Sequence, residues 1–372
     1  MNIGKISSSQ LMILVAMNVI GSAILVIPTT LAATAKQDAW ISAIVALAGG
    51  LAVVPIHVLL AGRLEGAGLV DSMERLLGKW LGKLIALLFV LTFPLVLAGR
   101  STRIIGDFLT TQMMPETPRE AIFILYMAVV IIAARAGIEA VARSAQIFFP
   151  LVVFLFLLMT CFLAPELRGE NIQPILEDGV LPVVVSSYQT ISFPFIESIV
   201  FLVLYSGVSR LKGMGSSLMW GIAIGGMFLF TSTLLCILVI GPKLTINNVF
   251  PAYVLAKKIS VGRFVERIEV TIAVLWFLTI FFRSTVMFYI SAVGLAQIFN
   301  MRDYKWLTIP LGMITVVFAI VSRPDITYLY KLAPAWGLYA PIHCILLPLA
   351  LLGVAAIRGR RNKQQLDDKD NL

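Results

Sequence analysis

Residues 9–32 read SQLMILVAMNVIGSAILVIPTTLA, and apolar blocks of this kind recur along the chain. A bilayer core about 30 Å thick is crossed by about 20 apolar residues wound as a helix. Hydrocarbon offers the backbone no hydrogen-bond partner, so such blocks must satisfy their own amides and carbonyls. Polar punctuation marks ten of them, at roughly 9–32, 38–62, 80–112, 119–136, 140–164, 182–207, 215–241, 264–299, 306–322 and 336–357. The reading is an all-α polytopic membrane protein with about ten transmembrane helices. The third and eighth blocks exceed an upright span and are expected to tilt or protrude.

Composition agrees with this reading. The chain is 59% hydrophobic and 13% charged, where a soluble domain is about half apolar and a quarter charged. The net charge of +9 belongs to the basic ends of spans and does not point to nucleic acid. With the N-terminus inside, the inner segments hold Lys5, Arg63, Arg75, Lys79, Lys83, Arg135, Arg143, Arg210, Lys212, Arg302, Lys305 and the basic tail. They carry 16 Lys and Arg against 9 outside, so both termini are expected to be cytoplasmic. Lys5, an apolar run and Ala33-Thr34-Ala35 mimic a secretory signal. The run is too long for one and is interrupted by Asn18, Gly21 and Pro28, so it is read as the first span. Cys161, Cys236 and Cys344 each lie in an apolar block and are read as core thiols.

Residues 1–364 are therefore one integral membrane domain, with halves at about 9–164 and 182–357. Residues 358–372 form a cytoplasmic polar tail, expected to be disordered. The outer segment 241–263 is expected to hold a short helix lying on the outer face.

Two spans break the rules for a membrane helix. In the first, Gly21-Ser22-Ala23 sits near mid-membrane, and Pro28 frees the carbonyl of Ile24. In the sixth, TISFPFIES places Pro194 where it frees the carbonyl of Thr190. The two spans are five apart. Two five-span halves, each opening on an interrupted helix, fit the inverted 5+5 plan of transporters, in which the breaks meet at the bilayer centre. Helices 1 and 6 are expected to be discontinuous.

Buried charge marks the same region. A charge at the centre of a span costs about 2.5–3.5 kcal/mol on insertion scales, so it normally faces protein or water. Glu197 lies near the middle of span 6 and Arg283 near the middle of span 8. Arg283 keeps its proton and needs an anion, either Glu197 or a ligand carboxylate. For Glu197 three roles stay open: bracing Arg283, holding a proton, or touching a ligand. Arg103 and Asp107 are placed to pair along one face of span 3. The tripeptide Arg-Ser-Thr occurs at 100–102 and 283–285, in equivalent spans of the two halves.

Enzyme chemistry finds no support, for the chain carries no GxGxxG, phosphate loop, GxSxG or HExxH. His57 and His343 are read as helix-packing residues, and no metal site is expected.

NVIGSAILVIP at 18–28, STRIIGDFLTTQMMPETP at 101–118, TISFPFIES at 190–198, RIEVTIAVLW at 267–276 and FYISAVGLAQ at 288–297 together resemble the spore germination permease family. These are the B subunits of germinant receptors, within the amino acid/polyamine/organocation (APC) transporter superfamily. The resemblance covers nearly the whole chain. It implies a LeuT/APC-like fold, and a site for a small germinant, often an amino acid, between spans 1, 3, 6 and 8. Carried onto this chain, the ligand-binding candidates are Gly21, Ser22, Ala23 and Ile24 in span 1, with Leu97 and Ser101 in span 3. Span 6 adds Ser192, Phe193, Pro194, Phe195 and Glu197, and span 8 adds Thr279, Phe282 and Arg283. It further implies action with an A subunit and a C-subunit lipoprotein in the inner membrane of the spore. No cofactor is implied. The runner-up is a cation-coupled amino-acid permease of the same superfamily, its coupling to Na+ or H+ left open.

Overall fold

The computed structural model describes residues 4–370, apart from 65, 209–212, 259–268, 324, 327 and 329–331. The first residues of the eighth block, and Arg210, Lys212, Arg263 and Lys331 of the charge count, lie outside the described residues. Within them, regular structure is helical. The first block divides into α1 (Ser8–Ile20) and α2 (Ala23–Ala35). At the start of α1 the Ser7 hydroxyl accepts from the Gln10 amide, and the Gln10 side chain accepts from the Ser7 amide, so two orphan donors are satisfied together. Next come α3 (Ala39–Ala61) and the short amphipathic α4 (Leu69–Leu77).

The long third block bends rather than simply tilting. It forms α5 (Lys79–Thr92) and α6 (Pro94–Gln112), joined at Phe93. Pro94 opens α6, where its missing N–H is harmless, and it disfavours helical backbone at the residue before it. Then follow α7 (Arg119–Ala136) and α8 (Ile138–Leu163).

The second half opens with α9 (Leu181–Thr190), a wide turn over Ile191–Phe195 and a 3-10 helix over Ile196–Gly207. It continues through α10 (Met214–Leu235) and two short helices, α11 (Gly241–Asn247) and α12 (Pro251–Lys257), in the segment where one was expected. The long α13 (Glu269–Ile298), α14 (Lys305–Val321), α15 (Ala333–Pro341) and α16 (Leu347–Asp370) complete it.

As far as the described residues reach, each of the ten expected blocks falls on helix. Among the described residues, seven helical stretches are long and apolar enough to cross a membrane, and Ser8–Ile20 and Lys305–Val321 are shorter apolar helices. The protein is an integral, multi-pass membrane protein. The tail departs from expectation: α16 runs on as helix to Asp370, since Arg, Asn, Lys, Gln and Leu after Gly359 contain no further glycine or proline to stop it.

α13 is the axis of the bundle. It packs against α1, α6, α8 and the Ile196–Gly207 helix, and Trp276, Phe282, Arg283 and Tyr289 along it are sealed from solvent. On the other side, α1 lies close against α10. A Cβ at Gly225 would stand 2.6 Å from the Cβ of Val19, so only glycine lets the two backbones approach this far. The N-terminal segment is fastened below. The Ile6 amide donates to the carbonyl of Gly207 at 2.9 Å, and Ile6 pairs with Val208 as a parallel bridge. Cys236 and Cys344 are core thiols as read from the sequence, but Cys161 is exposed, on the outward side of α8.

Candidate functional site

The first helix break is at Gly21 and Ser22, ahead of Pro28. Gly21 has φ 9° and ψ −118°, and helix resumes at Ala23. Pro28 sits inside α2 without ending it. The carbonyl its ring would orphan, that of Ile24, accepts instead from the Ser232 hydroxyl of α10 at 3.4 Å. The second break is at Phe193, whose φ −151° and ψ 116° are extended backbone inside the wide turn before Pro194. The Ser192 carbonyl exposed there accepts from the Trp336 indole at 3.2 Å. Both helices are discontinuous, and tertiary donors complete what the breaks leave open.

One arginine joins the two breaks. Arg283 of α13 donates from Nη2 to Glu197 Oε2 at 2.6 Å. Its Nη1 donates to the Asn18 carbonyl at 2.7 Å and contacts Asn18 Oδ1 at 3.3 Å, in the last turn of α1. The side chain passes across Gly21, where an added Cβ would stand 2.5 Å from Arg283 Cδ. The guanidinium centre lies 5.3 Å from the Phe193 ring. Arg283 and Glu197 are 1% and 0% exposed, so neither charge is solvated by bulk water. Not every polar atom is used. Glu197 Oε1, Arg283 Nε and Thr285 Oγ1 are buried with no hydrogen-bond partner among the described residues.

The structure thus gathers Gly21, Phe193, Glu197 and Arg283 into one cluster. Ser22, Ala23 and Ile24 are buried in the wall behind Gly21. Ser192 lies on the α15 side, its hydroxyl 3.4 Å from the Gly337 carbonyl, and Pro194 is buried beside it. Of the other expected residues, Leu97 is buried within α6, and Phe195 and Phe282 face neighbouring helices. Phe195 turns to α3, where a Cβ on Gly50 would meet its Cβ at 2.5 Å. Phe282 faces Phe148 of α8 at 6.3 Å. Ser101 and Thr279 bond carbonyls of their own helices, at Leu97 and Trp276. A helix presents only one side to a centre, so neighbours of a site residue in sequence point elsewhere.

Sequence reasoning missed Asn18, Arg100 and Trp336 as members of this region. Arg100 of α6 stacks on the Trp336 ring of α15, with its guanidinium centre 4.0 Å from the ring and 6.0 Å from Phe193. The arginines of both Arg-Ser-Thr tripeptides therefore flank the Phe193 ring, a use for the repeat that no local pattern showed. A void of about 30 Å³ remains among Val26, Ile104, Gln189, Phe193 and Trp336, space for a water or two. The centre is closed.

Farther along α6 lies a second charged cluster. Arg103 pairs with Asp107 as expected, at 3.0 Å. Asp107 also accepts from Arg323 at 2.8 Å and faces Arg119 at 3.7 Å. Arg103 Nη1 caps the end of α14 at the carbonyls of Ala319 and Ile320. One carboxylate ties α6 to the starts and ends of two other helices. His57 packs as expected, its Nε2–H donating to the Cys344 carbonyl at 2.8 Å, which leaves Nδ1 to accept from Ser198 at 3.1 Å.

A model of the family described as spore germination protein matches residues 5–326. The chain belongs to this family. Among curated relatives, spore germination protein KB of Bacillus subtilis (strain 168) is 27% identical over 367 residues, covering 97% of each chain. Spore germination protein YndE of the same organism is 24% identical over 324 residues, covering 86% of this chain and 87% of its own. Solved structures add the fold. Mhp1, a nucleobase-cation-symport-1 family transporter in a closed conformation with bromovinylhydantoin bound, aligns with TM-score 0.68 at 12% identity, over 92% of this chain and 78% of that one. MhsT in complex with L-phenylalanine aligns with TM-score 0.62 at 15% identity, over 92% and 97%. The spore germination chain therefore has a transporter-type, LeuT/APC-like fold, as its sequence led us to expect.

Proposed function

We propose that the chain is the germinant-sensing membrane subunit of a spore germination receptor, with a small germinant, an amino acid in the first instance, bound where the two broken helices meet. The observation that carries this reading is the sealed Arg283–Glu197 pair, which spans both breaks from a third helix. Its unused atoms suit a zwitterion: Glu197 Oε1 can take an ammonium hydrogen and Arg283 Nε can donate to a carboxylate. A void of about 30 Å³ is too small for that ligand, so binding requires the pair and its helices to separate. A ligand that favours the separated arrangement shifts the population by no more than its difference in affinity for the two states.

In this reading the ten helical blocks are ten spans in two inverted halves, with both termini cytoplasmic. The subunit sits in the inner membrane of the spore and acts with an A subunit and a C lipoprotein. The alternative, a cation-coupled amino-acid permease, is supported by the fold. Against it stands the position of Arg283. In such a transporter, carbonyls exposed at the first break hold a cation. Here the Asn18 carbonyl is taken by a tethered guanidinium, and the Ser284 hydroxyl is bonded by Tyr126 at 2.7 Å.

Two measurements separate the readings. Spores of a deletion strain are expected to lose their response to one class of germinant, and liposomes holding the purified chain alone are expected to show no ligand-driven uptake. Robust uptake without partner subunits, together with normal germination of the deletion strain, would overturn the sensor.

A further inference from the structure

A cavity of about 320 Å³ lies beside the closed centre, bounded by α6, the end of α14 and α15. This size falls within the range of small-molecule pockets, about 300–1,000 Å³. Its charged lining is of one sign. Arg100, Arg103 and Arg323 border it, and no acidic residue among the described residues does. Asp107, the carboxylate behind this wall, already serves Arg103, Arg119 and Arg323.

Two of the lining arginines have donors to spare. Arg100 makes neither a hydrogen bond nor an ion pair with the described residues, and its contacts are the faces of Trp336 and Phe193. Stacking of this kind uses the face of a guanidinium and leaves its in-plane N–H fork available. Arg103 is 3% exposed, and its Nη2 is buried with no hydrogen-bond partner. The two arginines are three residues apart, so they share one face of α6. The rest of the lining is apolar or aromatic, including Val96, Phe318, Ala335, Trp336 and Tyr339.

We propose that this cavity is an anion-binding vestibule, distinct from the central cluster, for a small carboxylate carried on an apolar or aromatic body. The carboxylate bridges Arg100 and Arg103, and the body lies against Phe318 and Trp336. Arg100 and Trp336 also border the small void at Phe193, so the vestibule adjoins the centre through these two side chains. The proposal does not depend on which germinant the centre takes.

Titration calorimetry on the full chain in phosphatidylcholine nanodiscs tests it, with phenylacetate as probe. Phenethylamine tests the charge, and acetate and chloride test the need for an apolar body. Repeating the titration in discs containing phosphatidylglycerol separates a soluble carboxylate from a lipid headgroup. The expected result is saturable phenylacetate binding, absent with phenethylamine, at least tenfold weaker with acetate or chloride, and unchanged by phosphatidylglycerol. Arg100→Gln should weaken it at least tenfold, and Arg100→Lys by less. Ala335→Phe, which fills the vestibule and leaves every charge in place, should abolish it; Ala335 does not border the void at Phe193. The proposal is overturned by no saturable binding, by equal binding of phenethylamine, by competition from phosphatidylglycerol, or by binding that survives both Arg100→Gln and Ala335→Phe.

Discussion

Arg283 and Glu197 form an ion pair at 2.6 Å with both side chains closed off from solvent. Such a pair gains Coulomb energy in a poorly screened interior and loses the hydration of both charges. Taken alone, either member is a buried charge without its partner, which costs about 3–5 kcal/mol. Glu197→Gln and Arg283→Gln are each expected to lower the thermal unfolding temperature markedly in detergent. Replacing both, as Glu197→Leu with Arg283→Met, should recover most of the loss. Single variants that melt with the wild type would show that the charges are not coupled.

Gly21 has no side chain because Arg283 occupies the space. Gly21→Leu forces a branched chain onto Arg283 Cδ, which already lies 2.5 Å from where a Cβ would be. Phe193→Ala removes the ring that the guanidinium groups of Arg100 and Arg283 both approach. Both variants are expected to shift the germinant dose-response of complemented spores by tenfold or more, at normal protein level by immunoblot. Curves superimposable on wild type in both would place the pocket elsewhere.

Asp107 holds three arginines of unequal importance. Arg103 and Arg323 are buried beside it, whereas Arg119 is 41% exposed and stands 3.7 Å away. Asp107→Asn should therefore destabilise strongly, by about 3 kcal/mol or more, as it leaves buried cations uncompensated. Arg119→Gln should change stability by less than about 1 kcal/mol. Thermal scans of the two variants side by side decide this, and equal losses would contradict the assignment.

His57 joins α3 to Ser198 and to the Cys344 carbonyl. His57→Leu keeps the bulk and leaves a buried hydroxyl and carbonyl unpaired, at about 1–3 kcal/mol each. A drop of several degrees in unfolding temperature is expected, smaller when Ser198→Ala is added. An unchanged melting curve would mean that water replaces the imidazole.

What the sequence disclosed follows the range of the interaction. Apolar blocks and helix breaks are local, so the helices, the break at Gly21 and the break before Pro194 were legible. Arg103 and Asp107, four residues apart, were legible for the same reason. Pro28 misled because its effect depends on Ser232, 208 residues beyond the Ile24 carbonyl to which it supplies the missing donor. The partners of Asp107 and Arg100, just past the end of α14 and on α15, were hidden likewise: Arg323 is 216 residues from the carboxylate it serves. Charge alone showed that Arg283 needed an anion. Which anion Arg283 meets could be read only from the fold, where in this closed arrangement it is Glu197.

The small bridge between Ile6 and Val208 bears on how this molecule can move. It knots the beginning of one broken helix to the end of the other. Lys5 beside it donates its amide to Glu139 at 2.7 Å, so the knot is also anchored to α8. With α2 and α9 lying beyond the breaks and their own near ends tied together, α1 and the Ile196–Gly207 helix form a yoke. Neither arm can swing by itself without tearing the Ile6–Gly207 hydrogen bond. Rearrangement at the centre is thereby conveyed to one fixed point near the start of the chain.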